Sequence, residues 1–216
     1  MTFIYDPPTG PIEVLYQDAN LVVVNKPAGL LSVPGRADDH KECVQSRLSV
    51  AIRDVLVVHR LDMDTSGVMV FAFDKDTHRH LSKQFESKTV SKTYICLVGG
   101  QVSEDQGEVD LPLRCDWPNR PLQMVDFDLG KPSKTLWQVL ARKADQTRLE
   151  LTPITGRSHQ LRVHCKEMGH PILGDRFYAS KDLVAKSPRL CLHAHVLEFD
   201  HPETNERLSL KAPCEF

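Results

Sequence analysis

Short apolar runs broken by turn residues make up most of the chain. Residues 12–17 and 21–25 are β-type runs on either side of Asp18-Ala19-Asn20, a spacing that predicts a hairpin. The apolar positions of 42–55 instead recur with helical spacing, placing Val44, Leu48 and Ala51/Ile52 on one face. The unbroken run Val68-Met69-Val70-Phe71-Ala72-Phe73 predicts a buried strand. It is followed by an amphipathic helix over 75–87, with Leu81 and Phe85 inward and Asp74 as its N-cap. Residues 91–98 alternate as a strand. The segment 112–132, with Pro112, Pro118, Pro121 and Pro132, reads as turns. Two further strands, 135–141 and 148–154, fit a hairpin across Ala144-Asp145-Gln146. A helix over 158–168 is closed by Gly169, and strands at 189–199 and 207–211 end the pattern. Residues 1–11 are expected to be an irregular lead-in. Strands outnumber helices and most neighbours can pair antiparallel, so the fold class expected is α+β.

Composition narrows the functional classes. At 216 residues the chain suits one domain or two small ones, and 41% hydrophobic with 26% charged residues reads as soluble and globular. No apolar run approaches the ~18 residues of a membrane helix, and the first residues lack the basic start and apolar core of a secretory signal. Cys43, Cys96, Cys115, Cys165, Cys191 and Cys214 form no C-x-x-C pair, which fits reduced, structural cysteines and a cytoplasmic location. The net charge of −2 argues mildly against a nucleic-acid partner, but the relevant quantity is a local basic face and not the sum.

Four constellations could carry chemistry. In His59-Arg60-Leu61-Asp62-Met63-Asp64-Thr65-Ser66-Gly67, Asp62 stands just ahead of a buried strand, two residues after an arginine. It is either a nucleophilic or basic carboxylate or an aspartate that pairs with Arg60 or caps the turn, and spacing alone favours the latter. Asp64 competes with it: on an extended segment both carboxylates would share a side, and a turn would separate them. The second constellation is Thr155-Gly156-Arg157-Ser158-His159-Gln160-Leu161-Arg162. A helix starting near Ser158 with Arg157 and His159 beside it makes an anion site, with Arg162 on the face of His159, or else an ordinary Ser-capped helix. In the third, Arg114 to Pro121, Trp117 lies between Arg114 and Arg120. It can stack on a base or fold back onto the sheet, and the bulk of indole favours folding back. In the fourth, Lys88 and Lys92 flank a strand carrying Tyr94, either a core residue or a stacking platform. His193 and His195 share a strand face without an evident third ligand, so no metal site is expected.

Taken in order, six segments resemble the RluA family of pseudouridine synthases over nearly the whole chain. They are Val24 to Leu30, His59 to Asp62 with Thr65-Ser66-Gly67, Lys92-Thr93-Tyr94, Pro153 to Arg162, Gly169 to Asp175, and Leu192-His193-Ala194. The resemblance implies a central, mostly antiparallel mixed sheet flanked by helices and loops, with an RNA-binding cleft. It implies isomerisation of uridine to pseudouridine in RNA with no organic cofactor and no metal. Asp62 matches the catalytic aspartate and Asp64 a variable position. Tyr94 matches the tyrosine stacked on the target base, Arg162 the arginine that pairs with the catalytic carboxylate, and Leu192 an apolar wall of the pocket. Arg60 matches the residue that enters the helix stack when the target nucleotide leaves, an extrusion that costs about a few kcal/mol. Arg157, His159, Trp117 and Arg120 are the remaining candidate RNA contacts.

Many relatives carry an N-terminal RNA-binding domain of the S4 type. Here about a dozen residues precede the first predicted strand, so one catalytic domain over 1–216 without an S4 domain is expected. Residues 115–121 and 130–132 resemble the short RluA subgroup, which implies 23S ribosomal RNA and transfer RNA anticodon stem-loops as substrates. The expected partner is RNA, with no membrane, no obligate protein partner and a monomeric state. A non-catalytic RNA assembly factor is the competing reading, and Asp62, Tyr94 and Arg162 together weigh against it. An enzyme binding a phosphorylated metabolite at residues 156–159 is the third.

Overall fold

The structure, a computed structural model, describes residues 5–216. Its elements in chain order are β1 (Glu13–Gln17), β2 (Leu21–Lys26), α1 (Val44–Ala51), β3 (Leu56–Val57), β4 (Ser66–Ala72), α2 (Lys75–Glu86) and β5 (Ser91–Gly99). They continue with β6 (Gln106–Asp110), β7 (Leu113–Cys115), β8 (Gln123–Val125), β9 (Lys134–Lys143), β10 (Gln146–Pro153), α3 (Gln160–Glu167), α4 (Lys181–Ala185), β11 (Leu192–Asp200) and β12 (Arg207–Lys211). The strand-rich α+β class is as expected. The chain forms two compact units, one of Met1–Lys92 with Ala194–Glu215, the other of Thr93–His193 with Phe216. The boundaries therefore fall inside β5 and β11.

In the first unit the strand order is β1-β2-β4-β11, with β12 on β11 and β3 on β4. The predicted hairpin forms: β1 and β2 are antiparallel, and Asp18 accepts the backbone N–H groups of Asn20 and Leu21 to shape the turn. Every residue of β4 is buried, as its unbroken apolar run requires. Val68 and Val70 of β4 pack with Leu81 of α2 and with Leu197 and Phe199 of β11. Gly67, at φ +114°, lies so close to the Ala194 backbone that no side chain fits there. Asp74 caps α2 as expected, accepting from Asp76 and Thr77. Helix α1 is shorter than the 42–55 predicted. It begins with a capping box between Cys43 and Ser46 and ends at Ala51, because Leu56 and Val57 leave to pair with Ala72 and Phe71 on the open edge of β4. Of the expected lead-in, residues 1–4 lie outside the described residues. Residues 5–12 form no helix or strand but are tied down: the Tyr5 hydroxyl donates to Glu42 O and accepts from Leu31 N.

In the second unit the order is β5-β10-β9-β6. β10 alternates strictly between buried and partly exposed positions and pairs antiparallel with β5 on one side and β9 on the other. Two features depart from the sequence reading. Residues 106–110, for which the sequence pattern predicted no element, form the edge strand β6 on β9. The segment 112–132 is not all turn: Leu113 to Cys115 pair with Val125 to Gln123 in a small separate hairpin.

Candidate active site

The turn that carries Asp62 is held from below by segment 26–32. Met63 O accepts from Gly29 N at 2.9 Å and from the buried Lys26 Nζ at 2.7 Å. Leu61 is bonded through both backbone groups to the Ser32 hydroxyl. Thr65 N closes the turn on Asp62 O at 3.1 Å, so 62–65 is not extended and Asp62 and Asp64 need not face one side. Arg60 is exposed, Leu61 buried, and Asp62 and Asp64 half-buried.

His59 begins the turn and ends a ladder. β3 pairs with β4 only at Leu56 and Val57, and the chain then leaves the sheet. The next free donor of β4, Val70 N, is taken by His59 Nε2 at 3.2 Å, while the ring stacks on Phe85 with centroids 4.7 Å apart. Burial, and then the charge of Lys92, lower the His59 pKa from 6.5 to about 3, so the imidazole is neutral with its proton on Nδ1.

In the second unit, Arg162 points from α3 into the protein. Its Nε and Nη2 donate to Asp175 Oδ2 and Oδ1 at 2.8 and 2.7 Å, and both residues are buried. Asp175 Oδ1 also accepts from Phe177 N and Tyr178 N. The Arg162 guanidinium lies 5.1 Å from the Phe177 ring centroid and 5.3 Å from that of Tyr178. His159 stacks on Phe177 and bonds Tyr178 Oη through Nδ1 at 2.7 Å, so His159 and Arg162 do share a face, built against the Phe177–Tyr178 pair. Tyr178 Oη further accepts from Gln123 N, which ties the β7–β8 hairpin to the start of α3. Tyr94 is half-buried on β5 opposite Leu151, and Leu192 is a buried member of the same apolar cluster.

Two expectations are corrected. Ser158 does not cap a helix: α3 starts at Gln160, behind His159 in the left-handed region at φ 52°. The Gln160 side chain folds back instead, accepting from Arg157 N and the Thr155 hydroxyl and donating to Lys134 O and Thr135 Oγ1. One backbone donor of the expected anion site is thereby already used. Trp117 does not fold back onto the sheet. It stands 63% exposed at the start of a single 3-10 turn, Trp117–Asn119, and its ring carries the Arg120 guanidinium at 4.8 Å. Pro118 and the Asn119–Asp116 bonds hold that turn away from the core. Arg157 is exposed, and its Nε donates to Pro132 O at 3.4 Å. His195 Nδ1 donates to Ala212 O at 2.8 Å, and His193 is buried with its ring edge-on to Phe216, structural uses for both.

A family model described as RNA pseudouridylate synthase matches residues 20–167, a span that includes Asp62, Tyr94, Trp117 and Arg162. The chain belongs to the RNA pseudouridylate synthase family. It is an RNA pseudouridine synthase, an isomerase, and RNA is its substrate. A dual-specificity RNA pseudouridine synthase RluA of Escherichia coli is 51% identical over 214 residues, covering 98% of both chains. Its counterpart in Vibrio parahaemolyticus is 50% identical over 218 residues, 98% of this chain and 87% of the relative. Among solved structures, human RNA pseudouridylate synthase domain containing 1 superposes with a TM-score of 0.80 at 28% identity, covering 96% of this chain and 86% of that one. Domain containing 4 gives 0.76 at 28% identity, covering 94% and 88%.

For a synthase of this family, sequence reasoning overlooked the residues that hold others in place. Lys26 and Asp175 lie inside segments that carry the resemblance, yet their types suggested no role. Ser32 lies just past one such segment, and Tyr178 in none. A buried lysine or aspartate has no local signature, because what makes it tolerable is a partner distant in sequence.

Proposed function

We propose that this synthase isomerises uridines in both 23S ribosomal RNA and transfer RNA anticodon stem-loops. Identity near one half over almost the full chain to relatives named for dual specificity is the observation that carries this substrate range. Its two units act as one catalytic domain, monomeric and cytoplasmic, and no organic cofactor or metal takes part. Among the described residues no helix is long and apolar enough to cross a membrane.

In this reading the target nucleotide leaves its stack, and Arg60, exposed at the head of the turn, fills the vacated space with a planar cation. Asp62 is the ionised carboxylate that acts on the ribose while the N1–C1′ bond breaks. Tyr94 supplies the ring on which the freed uracil turns before C5 rejoins C1′, and Leu192 an apolar wall. Arg162 is the arginine that pairs with the catalytic carboxylate, its guanidinium fixed by Asp175. Arg157, His159, Trp117 and Arg120 serve RNA binding. The anchored backbone on both sides of Asp62 supports its place in the chemistry, because a reacting carboxylate must be held still.

The test is tritium release from RNA labelled at uridine C5, with ribosomal and transfer RNA assayed separately and Asp62→Asn as control. Release from both RNAs by the wild type and from neither by the variant is expected, with RNA binding retained. Release from one RNA only would reject dual specificity. Binding without release from either would favour an assembly factor.

A further inference from the structure

The Ser32 hydroxyl does the work of a strand neighbour for the residue that precedes Asp62. Its Oγ donates to Leu61 O at 2.7 Å and accepts from Leu61 N at 3.2 Å. A residue whose N–H and C=O both bond one partner is held as in the close pair of an antiparallel ladder, yet here the partner is a side chain. Ser32 is buried, and its own backbone is fixed: Gln45 N at the start of α1 donates to Ser32 O at 3.4 Å, and Val44 N donates to Leu31 O at 2.8 Å. A rigid path thus runs from the first turn of α1, through Leu31 and Ser32, to Leu61. On the other side of Asp62, Met63 O is bonded by Gly29 N and Lys26 Nζ. Leu61 and Met63, the residues on either side of Asp62, are therefore both tied to one seven-residue stretch, and the Ser32 side chain makes its bonds to Leu61.

We propose that Ser32 is a positioning residue for the isomerisation, fixing the direction in which Asp62 leaves the backbone. The inference rests on Asp62 being the catalytic carboxylate. Removal of the hydroxyl strands two backbone groups of Leu61 in a buried place, and the turn relaxes to satisfy them elsewhere. A small misplacement of a reacting group costs roughly a hundredfold in rate. In the function proposed above the RNA contacts lie on other side chains, so RNA affinity does not pass through this bond.

The experiment compares kcat and RNA dissociation constants of wild type, Ser32→Ala, Ser32→Thr and Ser32→Cys, with the thermal midpoint of each. Ser32→Ala is expected to lose kcat by about ten- to a hundredfold with its RNA affinity unchanged. Ser32→Thr keeps the hydroxyl and recovers most of the rate. Ser32→Cys fills the site with a weaker hydrogen-bonding group, so it folds but turns over slowly, and it keeps the test open if Ser32→Ala does not fold. Wild-type kcat in a folded Ser32→Ala or Ser32→Cys would overturn the proposal, as would a loss confined to RNA affinity. Equal impairment of Ser32→Thr and Ser32→Ala would also overturn it. An active Asp62→Asn would remove the underlying reading, whereas an inactive Asp62→Asn beside fully active Ser32 variants would remove this inference alone.

Discussion

Arg162 and Asp175 form a buried two-pronged pair, with Nε and Nη2 of one donating to both carboxylate oxygens of the other at 2.8 and 2.7 Å. Asp175 also receives two backbone N–H groups from Phe177 and Tyr178, so its negative charge is well satisfied. Loss of one partner from such a pair leaves a buried charge uncompensated, at a cost of about 3–5 kcal/mol. Asp175→Ala should therefore lower the unfolding free energy in urea by about 3 kcal/mol or more. A change below about 1 kcal/mol would mean that water or another group replaces the carboxylate readily.

Arg60 is exposed on the turn that carries Asp62. If it occupies the space left by the extruded base, Arg60→Ala should slow turnover on folded stem-loops far more than on an RNA whose target base is already unstacked. Equal losses on the two substrates would place Arg60 in the chemistry instead of the extrusion.

Trp117 and Arg120 present a ring and a cation to solvent, 4.8 Å apart. Stacking of a base on an aromatic side chain is worth about 1–3 kcal/mol, so Trp117→Ala should weaken RNA binding by roughly tenfold and Trp117→Phe much less. Arg120→Ala should reduce the slope of log affinity against log salt by about 0.7–0.9 if it meets one phosphate. RNA affinity that ignores both substitutions would assign this turn another use.

His59 gives the protein an acid-sensitive contact. Its folded-state pKa is about 3, below the ordinary 6.5, because burial disfavours the charged ring and Lys92 adds to that. The unfolded chain therefore takes up a proton below pH ~6.5 that the folded chain refuses until pH ~3, and stability falls as pH falls through that window. Protonation would also end the acceptance of Val70 N by Nε2. Urea midpoints at pH 7, 5 and 4 should decline less steeply for His59→Gln than for wild type. Parallel declines would show that the ring is already charged, or solvated, in the folded state.

The elements legible in the sequence were those whose burial is decided by their own residues. β4 and β10 are examples: one is apolar throughout and the other alternates strictly, and each pattern dictates its burial whatever the neighbours. The Asp74 cap on α2 is equally local. By contrast, residues 106–110 carry mostly polar side chains and become a strand because β9 offers its open edge. The hairpin in 112–132 was hidden by prolines that lie outside its six paired residues, Leu113 to Cys115 and Gln123 to Val125. Helix α1 stops early for a similar reason: Leu56 and Val57 satisfy β4 better than they would extend a helix past Arg53-Asp54.

The candidate site divides the same way. Sequence by itself determined the α+β class and the family resemblance, and through that resemblance it put forward Arg60, Asp62, Tyr94, Arg162 and Leu192 as candidate site residues, because the motifs that carry them are compact. Tertiary structure decided how the Asp62 turn is held, by Ser32 at Leu61 and by Lys26 and Gly29 at Met63, and it gave Arg162 to Asp175. It also put Trp117 in solvent, against the ordinary preference of indole for burial. The physical reason is common to these cases. A buried hydroxyl, ammonium or carboxylate is stable only when its partner, distant along the chain, is brought within hydrogen-bond reach, and no local pattern encodes that meeting.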